Sequence, residues 1–257
     1  MFTFRDARGS VDVAFTDRDG GVSRPPYQSL NLAAVTEDDP DAVTENLRRV
    51  MAAFAGAPDG PVARLHQVHG SRVVVVDDPR QVGPGAAGVD GLPEADGLVT
   101  TLPGVTLMVR VADCVPVLLA DLAGPVAGAL HVGRPGLVAG TVPAGLAALD
   151  RLGAADVVAW LGPHVCGRCY EVPAAMRRDV TDIVPEAWSV TSWDTPAVDV
   201  GAGVRAQLAA AGVRVVDASR CTLEDEGLYS HRRDGATSGR LAGLVRIRPE
   251  RAGEGPA

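Results

Sequence analysis

The chain lacks several features that would point to common classes of protein. Its 257 residues carry a formal net charge of -8, and no block rich in lysine and arginine stands out. A nucleic acid partner is therefore not expected, because binding the phosphate backbone requires clustered positive charge. No uninterrupted apolar stretch approaches the roughly 18 residues of a membrane-spanning helix. A membrane partner is not expected either.

Cysteine is scarce as well. The four cysteines are too few for a disulfide scaffold in a chain of this size, and they are Cys114, Cys166, Cys169 and Cys221. Residues 1–6 lack the basic and then apolar layout of a signal peptide. We therefore expect a cytoplasmic protein with reduced thiols, and a monomer is favoured although the oligomeric state is left open.

Glycine-rich nucleotide motifs are missing too. Neither GxGxxG nor GxxxxGK[ST] occurs, so the sequence does not support a nucleotide cofactor. Hydrophobic residues make up 46% of the chain, which indicates a packed globular fold. We predict a single domain over residues 1–250, followed by a frayed tail over 251–257 that is rich in glycine, proline and charge.

Apolar periodicity and turn residues predict mixed secondary structure. Helices are predicted at 42–51, 136–152, 173–183 and 200–211. Strands are predicted at 73–76, 105–111, 115–120, 126–131, 157–161 and 213–216. The segment 81–95 is predicted as a loop.

Two details of this pattern carry structural expectations. The close spacing of 105–111, 115–120 and 126–131 suggests adjacent strands of one sheet. Pro143 inside the second predicted helix should kink that helix or delay its start. Because strands and helices do not alternate strictly, the pattern favours an α+β fold over a doubly wound one.

Three potential metal ligands each follow or end an apolar, strand-like run. They are His69, Cys114 and His131. Two histidines and a cysteine can hold a catalytic zinc ion with one position open. They can equally form a cysteine nucleophile with a histidine base. A core cysteine with two hydrogen-bonded histidines is the simpler alternative, since spacing alone cannot bring the three together.

Nearby residues offer further candidates. His66 competes with His69 for the ligand role, and Asp113 is a candidate base or a residue that orients a histidine, although it could simply end the strand. The pair Cys166 and Cys169 forms a CxxC motif. Without a second CxxC, a structural role for that pair is favoured over a redox or zinc site.

Three arginines are candidates for binding an anion. Arg232 and Arg233 form a pair near the C-terminus, and Arg134 follows His131 closely. Arginine recognises phosphate and carboxylate through paired hydrogen bonds. A solvated charged turn is the alternative for the C-terminal pair.

Several ordered blocks resemble one known family. The chain is similar to the multicopper polyphenol oxidase (laccase)-like family, also called the purine nucleoside phosphorylase family with adenosine deaminase activity. The blocks are 20–23, 29–32, 38–40, 45–46, 66–70, 95–100, 112–116, 162–163, 169–172, 221–222, 230–235 and 237–240. Because they are spread over nearly the whole chain, their order carries the resemblance more than any one of them.

The resemblance implies a fold and a function. The implied fold is α+β, with layered mixed β-sheets flanked by helices, similar to the toxin deamidase-like (cysteine hydrolase-like) fold. The implied metal is zinc, with copper possible, and the ligand positions match His69, Cys114 and His131. The implied partners are phosphate and purine nucleosides, namely adenosine, inosine and methylthioadenosine. The implied reactions are phosphorolysis of these nucleosides and deamination of adenosine.

This sequence departs from the family at two places. The family usually has His-Ala-Gly-Trp-Arg-Gly at the third ligand, whereas 131–136 here is His-Val-Gly-Arg-Pro-Gly. If the shifted Arg134 binds phosphate, phosphorolysis should be weakened while deamination persists. A tyrosine is common before the two C-terminal arginines, and His231 takes its place.

The chemistry of these reactions suggests roles for further residues, and other functions stay open. Asp113 would protonate the leaving ammonia in deamination, and Arg134, Arg232 or Arg233 would position phosphate. The alternatives are a cysteine-dependent amidase or deamidase using Cys114 and His131, a polyphenol oxidase, and a non-enzymatic metal-binding factor in cell-wall processes. The oxidase is disfavoured, because laccase chemistry needs several copper sites and the chain has only five histidines.

Overall fold

A computed structural model describes residues 1–78, 88 and 90–249 of the chain. Its strands are β1 (Phe2–Arg8), β2 (Val11–Thr16), β3 (Val62–Ala63), β4 (Val73–Val76), β5 (Gly97–Thr100), β6 (Thr106–Val111), β7 (Val115–Asp121), β8 (Ala127–Val132), β9 (Val157–Leu161), β10 (Trp188–Val190), β11 (Pro196–Val198), β12 (Arg214–Asp217) and β13 (Leu241–Ile247). Its α-helices are α1 (Pro40–Ala55), α2 (Arg134–Ala139), α3 (Thr141–Arg151), α4 (Ala174–Thr181), α5 (Val200–Ala210) and α6 (His231–Asp234).

The strands form two large mixed sheets and one small antiparallel pair. The first sheet has five strands in the order β1-β2-β13-β6-β3, and only the β6–β3 pairing is parallel. The second has six strands in the order β12-β9-β7-β8-β5-β4. Its outer pairs β12–β9 and β4–β5 are parallel, and its inner pairs are antiparallel. The small pair is β10–β11.

The two large sheets pack face to face and are covered by helices on their outer faces. Phe15, Leu107, Leu118 and Trp160 share one apolar cluster, which fills the space between the sheets. A second cluster joins the six-stranded sheet to α3 and α5, and a third joins the five-stranded sheet to α1. The predicted α+β class with layered mixed sheets is thus confirmed, whereas the likeness to toxin deamidases stays a prediction.

The sequence of helix α1 accounts for its two ends and for its buried face. Asp39 caps its first turn by accepting a hydrogen bond from the backbone N–H of Asp41 at 2.9 Å, and Pro40 occupies the first helical position. Gly56 ends the helix with a φ of 69°. One apolar face, including Leu47 and Phe54, is buried against the five-stranded sheet.

One expectation about strand order is wrong. Strands β7 and β8 are neighbours, as predicted, but β6 belongs to the other large sheet. The chain turns at Asp113, whose φ is 87°, and passes from one sheet to the other between β6 and β7. Apolar runs of this kind are buried on both faces, so their spacing indicates strands without indicating which sheet each one joins.

The helix predicted over 136–152 is divided into α2 and α3. Gly140 separates them with a φ of 81°, which only glycine adopts readily. Pro143 lies in the first turn of α3, where its missing N–H leaves no helical hydrogen bond unmade. The helical region is therefore interrupted at Gly140, and its start is not delayed, because α2 begins at Arg134.

The other predicted elements within the described residues are present within a few positions of their predicted ends. Strand β4 is more exposed than predicted, since only Val76 of its four residues is buried. Most of the predicted loop 81–95 and the tail 251–257 lie outside the described residues, and the single domain stays a prediction. No helix in the described part of the chain is long and apolar enough to cross a bilayer.

Candidate metal centre

The fold brings His69, Cys114 and His131 together. One potential ligand atom from each lies within 4.8 Å of the other two. The distance from Cys114 Sγ to His69 Nε2 is 3.7 Å, and the two imidazole rings meet edge to face with 4.8 Å between centroids. His131 is buried, Cys114 is half-buried and His69 is exposed. His66 is not part of this group, which favours His69 as the candidate ligand.

Each of the three is held where a strand ends or the chain turns. His69 lies in the loop between β3 and β4 with a φ of 61°, and Cys114 follows the left-handed Asp113. Non-glycine residues with positive φ are uncommon and are concentrated at functional sites. His131 is the penultimate residue of β8, opposite Pro116 of β7. Two strand ends and one turn therefore converge at one edge of the six-stranded sheet.

Asp96 organises the two histidines. Its fully buried carboxylate accepts a hydrogen bond from His131 Nδ1 at 2.7 Å. It also accepts hydrogen bonds from the backbone N–H groups of His69 and Gly70, at 2.9 and 2.6 Å. With Nδ1 occupied by Asp96, the Nε2 atom of His131 is left for Cys114 or a metal. A carboxylate behind a histidine is the usual support for a metal ligand.

Gly133 lets the backbone approach the centre closely. A Cβ atom at this position would lie 2.7 Å from His69 Cδ2 and 3.1 Å from Cys114 Sγ. Any side chain there would displace a candidate ligand. The glycine that follows β8 is therefore required by the site, whereas its φ of -86° is open to any residue.

The charges of Cys114 and His131 are coupled. Burial by itself would raise the pKa of the Cys114 thiol, but the nearby positive charge of His131 and hydrogen bonds from His131 and His69 lower it to about 6. Burial by itself would lower the pKa of His131, but the Cys114 thiolate and the hydrogen bond to Asp96 raise it to about 9. The pair therefore favours a thiolate beside an imidazolium at neutral pH when no metal is bound.

Asp113 has both carboxylate oxygens occupied by protein donors. Oδ1 accepts a hydrogen bond from the Thr222 hydroxyl at 2.6 Å, and Oδ2 accepts one from the backbone N–H of Arg232 at 2.7 Å. The carboxylate is buried. This arrangement joins the Cys114 turn to the C-terminal segment that carries Arg232.

A cavity of about 720 Å³ opens beside the three candidate ligands. This volume is in the range of small-molecule sites in proteins. The cavity is lined by all three ligands and by a mixture of apolar and cationic residues, which include Tyr170, Val200, Arg110, Arg134, Arg232 and Arg240.

Two of the three predicted arginines reach the cavity. Arg134 is the first residue of α2, is half-buried, and makes no hydrogen bond or ion pair with the part of the chain that the structure describes. Arg232 is exposed, and its guanidinium stacks on the ring of Tyr170 at 4.6 Å from the centroid. Both guanidinium groups are therefore available to an anion in the cavity.

The third predicted arginine, Arg233, is placed differently and is not among the lining residues. Its guanidinium donates hydrogen bonds to the carbonyl oxygens of Thr222 at 3.0 Å and Leu228 at 2.6 Å, and it pairs with Asp234. These contacts stabilise the segment that contains Thr222 and Leu228, so they indicate a structural role for Arg233.

Two further arginines at the cavity were not singled out as site residues from the sequence. Arg110 is buried, and burial together with the charges of Arg64 and Arg240 lowers its pKa to about 9, which still leaves it charged at neutral pH. It donates a hydrogen bond to the carbonyl oxygen of Leu65 at 2.6 Å. Arg240 donates to the carbonyl oxygens of Ser238 and Gly239. Neighbouring cations in a cavity favour an anionic ligand.

The site residues that were not predicted differ in the strength of their sequence signals. Asp96 and Arg240 lie in blocks that carry the family resemblance, and Gly133 lies in the segment 131–136 where the sequence departs from the family. The family motifs therefore give a sequence signal for Asp96, Arg240 and Gly133 as site residues. Arg110 lies within an apolar strand, and an arginine inside a buried run was the signal that could have found it.

The donor set fits a transition-metal ion. Two imidazole nitrogens and one thiolate suit zinc or copper, and three protein ligands leave a position open for water or substrate. The carboxylate of Asp96 behind His131 and the close approach of Gly133 match what such a centre requires. The described residues thus hold a candidate His₂Cys metal centre at the mouth of a small-molecule cavity.

These features indicate a metal-binding protein with a small-molecule pocket lined by strand ends and the loops beside them. The chain belongs to the family described as multi-copper polyphenol oxidoreductase laccase, whose model matches residues 12–248. The predicted family is thereby confirmed.

Relatives of this chain carry a consistent name. It is 52% identical over 240 residues to purine nucleoside phosphorylase ORF3 of Streptomyces griseus, covering 92% of this chain and 94% of that protein. It is 49% identical to purine nucleoside phosphorylase SCO2081 of Streptomyces coelicolor, covering 95% and 99%. Among solved structures, YlmD from Geobacillus stearothermophilus superimposes with a TM-score of 0.85 at 29% identity, covering 96% and 99%.

Proposed function

We propose that the protein is a zinc-dependent purine nucleoside phosphorylase that also deaminates adenosine. The observation that carries the proposal is the His69–Cys114–His131 group in the lining of a cavity that is also lined by four arginines, Arg110, Arg134, Arg232 and Arg240. The names of the Streptomyces relatives support the phosphorolytic activity. Adenosine, inosine and methylthioadenosine are the proposed nucleosides, with phosphate as the second substrate.

In this proposal His69, Cys114 and His131 hold the metal, and Asp96 fixes the ring of His131. Bound zinc supplies a Lewis acid that activates water for deamination and stabilises negative charge on the purine. Copper is the alternative occupant, because copper generally binds such donors more tightly than zinc and metal availability decides which ion is loaded.

The phosphate subsite is proposed at the arginine-rich side of the cavity. We assign phosphate binding to Arg134 and Arg232, as predicted from the sequence, and also to Arg110 and Arg240. Their mutual repulsion is relieved when a phosphate binds, and guanidinium groups pair well with phosphate oxygens. Arg233 has its guanidinium committed to loop carbonyl groups, so we assign it to support of that segment.

Asp113 is proposed as a positioning residue in phosphorolysis. Its two carboxylate oxygens hold Thr222 and the backbone of Arg232, so it orients Arg232 toward the cavity. The predicted role of Asp113 as the acid that protonates ammonia stays a prediction. An Asp113→Asn variant separates these roles: loss of positioning raises the KM for phosphate, whereas loss of an acid lowers kcat for deamination alone.

The direct test incubates the purified zinc-loaded protein with adenosine, with and without phosphate, and separates the products by chromatography. We expect inosine in both samples and free purine base only with phosphate. Cys114→Ala should abolish both products together with the metal at the His69–Cys114–His131 centre. Full activity of a Cys114→Ala protein that holds no metal at this centre would contradict the zinc model.

A second candidate is a cysteine-dependent amidase or deamidase. The lowered pKa of Cys114 and the raised pKa of His131 favour it, because a thiolate beside an imidazolium is also the resting form of a cysteine nucleophile. The two functions separate by experiment. An amidase should work without metal and be inactivated by alkylation of the thiol, whereas the nucleoside enzyme should need zinc and be protected by it.

A further inference from the structure

A second cluster of potential metal ligands lies outside the centre described above. Cys166, Cys169, Cys221 and Glu224 each offer one ligand atom, and these four atoms all lie within 4.8 Å of one another. From the sequence, the CxxC pair lacked a partner motif and a structural role was favoured. The tertiary structure supplies that partner as one further thiol and one carboxylate.

The sheet topology explains how these distant residues meet. Strands β9 and β12 are parallel neighbours, with Leu161 opposite Asp217 at their ends. The loops that follow parallel neighbouring strands leave the sheet at the same edge. The first loop carries Cys166 and Cys169, and the second carries Cys221.

Backbone hydrogen bonds hold the two loops together. The N–H of His164 donates to the carbonyl oxygen of Arg220 at 3.0 Å, and the N–H of Thr222 donates to that of His164 at 3.1 Å. Within the first loop, the N–H of Cys169 donates to the carbonyl oxygen of Cys166 at 2.9 Å and closes a tight turn. Backbone hydrogen bonds therefore fix the two loops that carry the three sulfur atoms.

A backbone donor also points at one of the sulfur atoms. The N–H of Cys166 lies 3.5 Å from Cys221 Sγ. Hydrogen bonds of this kind stabilise the anionic form of an acceptor. They are also the outer contacts that orient the ligands of a bound metal.

We propose that Cys166, Cys169, Cys221 and Glu224 form a structural zinc site, separate from the His69 centre. Zinc favours four tetrahedral ligands, and a Zn–S bond of about 2.3 Å places two ligand sulfurs about 3.8 Å apart. The four ligand atoms lie within 4.8 Å of one another, so side-chain shifts of about an ångström complete the site. Four protein ligands leave no open position, which is typical of structural rather than catalytic zinc.

A disulfide accounts for less of the arrangement. It would join two of the three thiols, leave the third without a role, and give no function to the carboxylate of Glu224. A metal uses all four groups. Cys169 is buried, Cys166 and Cys221 are half-buried, and Glu224 is exposed, so the ion has an entry path from the solvent side.

The site would support the phosphate side of the main cavity. Thr222, next to the ligand Cys221, donates its hydroxyl to Asp113 at 2.6 Å. Arg233 donates to the carbonyl oxygen of Thr222 at 3.0 Å, and Arg232 is bound through its N–H to Asp113. Zinc at the second site therefore ties the loop after β12 in the position from which it contacts Asp113.

The test measures zinc in protein from which the first centre has been removed. We expect Cys114→Ala to retain one zinc ion per chain after dialysis against a weak chelator, and the double variant Cys114→Ala/Cys169→Ser to retain none. His69→Ala provides a second background in case Cys114→Ala fails to fold. X-ray absorption of the retained zinc should show predominantly sulfur neighbours.

A matched pair of variants tests the fourth ligand. Glu224→Gln and Glu226→Gln remove the same charge from the same segment, but only Glu224 belongs to the cluster. In the Cys114→Ala background we expect Glu224→Gln to weaken zinc binding by about tenfold or more, and Glu226→Gln to leave it unchanged. An equal effect of both substitutions would overturn the assignment of Glu224.

Two results would overturn the site as a whole. The first is a wild-type protein that holds one zinc ion while both Cys114→Ala and His69→Ala hold none. The second is an intact mass lower by two hydrogen atoms in the freshly purified protein, with the loss mapped to Cys166, Cys169 or Cys221, which would show a disulfide instead.

Discussion

The Asp96 carboxylate lies 2.7 Å from His131 Nδ1 and binds the His69 turn through backbone N–H groups. One buried side chain therefore orients two of the three candidate ligands, which come from different segments of the chain. The pKa of Asp96 is lowered because these hydrogen bonds outweigh its burial, so the carboxylate remains ionised.

We expect Asp96→Asn to weaken metal binding by about 10- to 100-fold, because supporting groups behind metal ligands have effects of this size. Competition with a chromophoric chelator measures the affinity. Asp121→Asn is the matched control, since Asp121 is a buried carboxylate that accepts backbone hydrogen bonds from Ala123 and Asp156, at the end of β7 far from Cys114. Equal losses of affinity in the two variants would argue against a specific role for Asp96.

Gly133→Ala should disrupt the centre through crowding. The added methyl group would lie 2.7 Å from His69 Cδ2, so the ligand or the backbone must move. We expect reduced metal content by elemental analysis with a smaller effect on thermal stability. Gly128→Ala adds the same methyl group three residues before His131, against Leu149 at 3.0 Å, and should lower stability without changing metal content. A fully metallated Gly133→Ala protein would contradict the close approach.

Metal affinity should rise with pH. In the metal-free protein His131 has a pKa of about 9 and Cys114 has a pKa of about 6. At a pH between these two values, the imidazolium of His131 must lose a proton before its ring can bind a metal ion. The apparent affinity should therefore increase about tenfold per pH unit from 6 to 9, more steeply below 6, and level off above 9. Calorimetric titration in buffers of different ionisation enthalpy reports the proton release, and an affinity independent of pH would contradict the coupled pair.

Arg240 and Arg233 should differ in effect although they are close in sequence. Arg240→Ala removes a guanidinium that lines the cavity, and we expect the KM for phosphate to rise about tenfold or more while deamination continues. Steady-state kinetics with varied phosphate measures this change.

Arg233→Ala removes a guanidinium that supports a loop through several carbonyl groups. We expect it to lower the free energy of unfolding by about 2 to 4 kcal/mol, which denaturant titration measures. A stable Arg233→Ala protein with a selective phosphate defect would reverse the assignment of these two arginines.

The elements with strong local signals were predictable. Asp39, Pro40 and the apolar face of α1 mark a helix by themselves, and the β-branched run at β4 marks a strand. The sequence pattern predicts neither the local hairpin of β1 and β2 nor the strand β13. Strand β13 pairs with β2 from the opposite end of the chain, a contact that no local pattern indicates.

The residue types of the centre are predictable from sequence, since His69, Cys114 and His131 stand beside apolar runs. Their meeting, the link through Asp96, and the placement of β6 and β7 in different sheets depend on the three-dimensional fold. The same holds for Cys221 and Glu224 beside the CxxC pair. Local propensity acts over a few residues, whereas these contacts depend on strand order and on turns at residues such as Asp113, which join segments far apart in the chain.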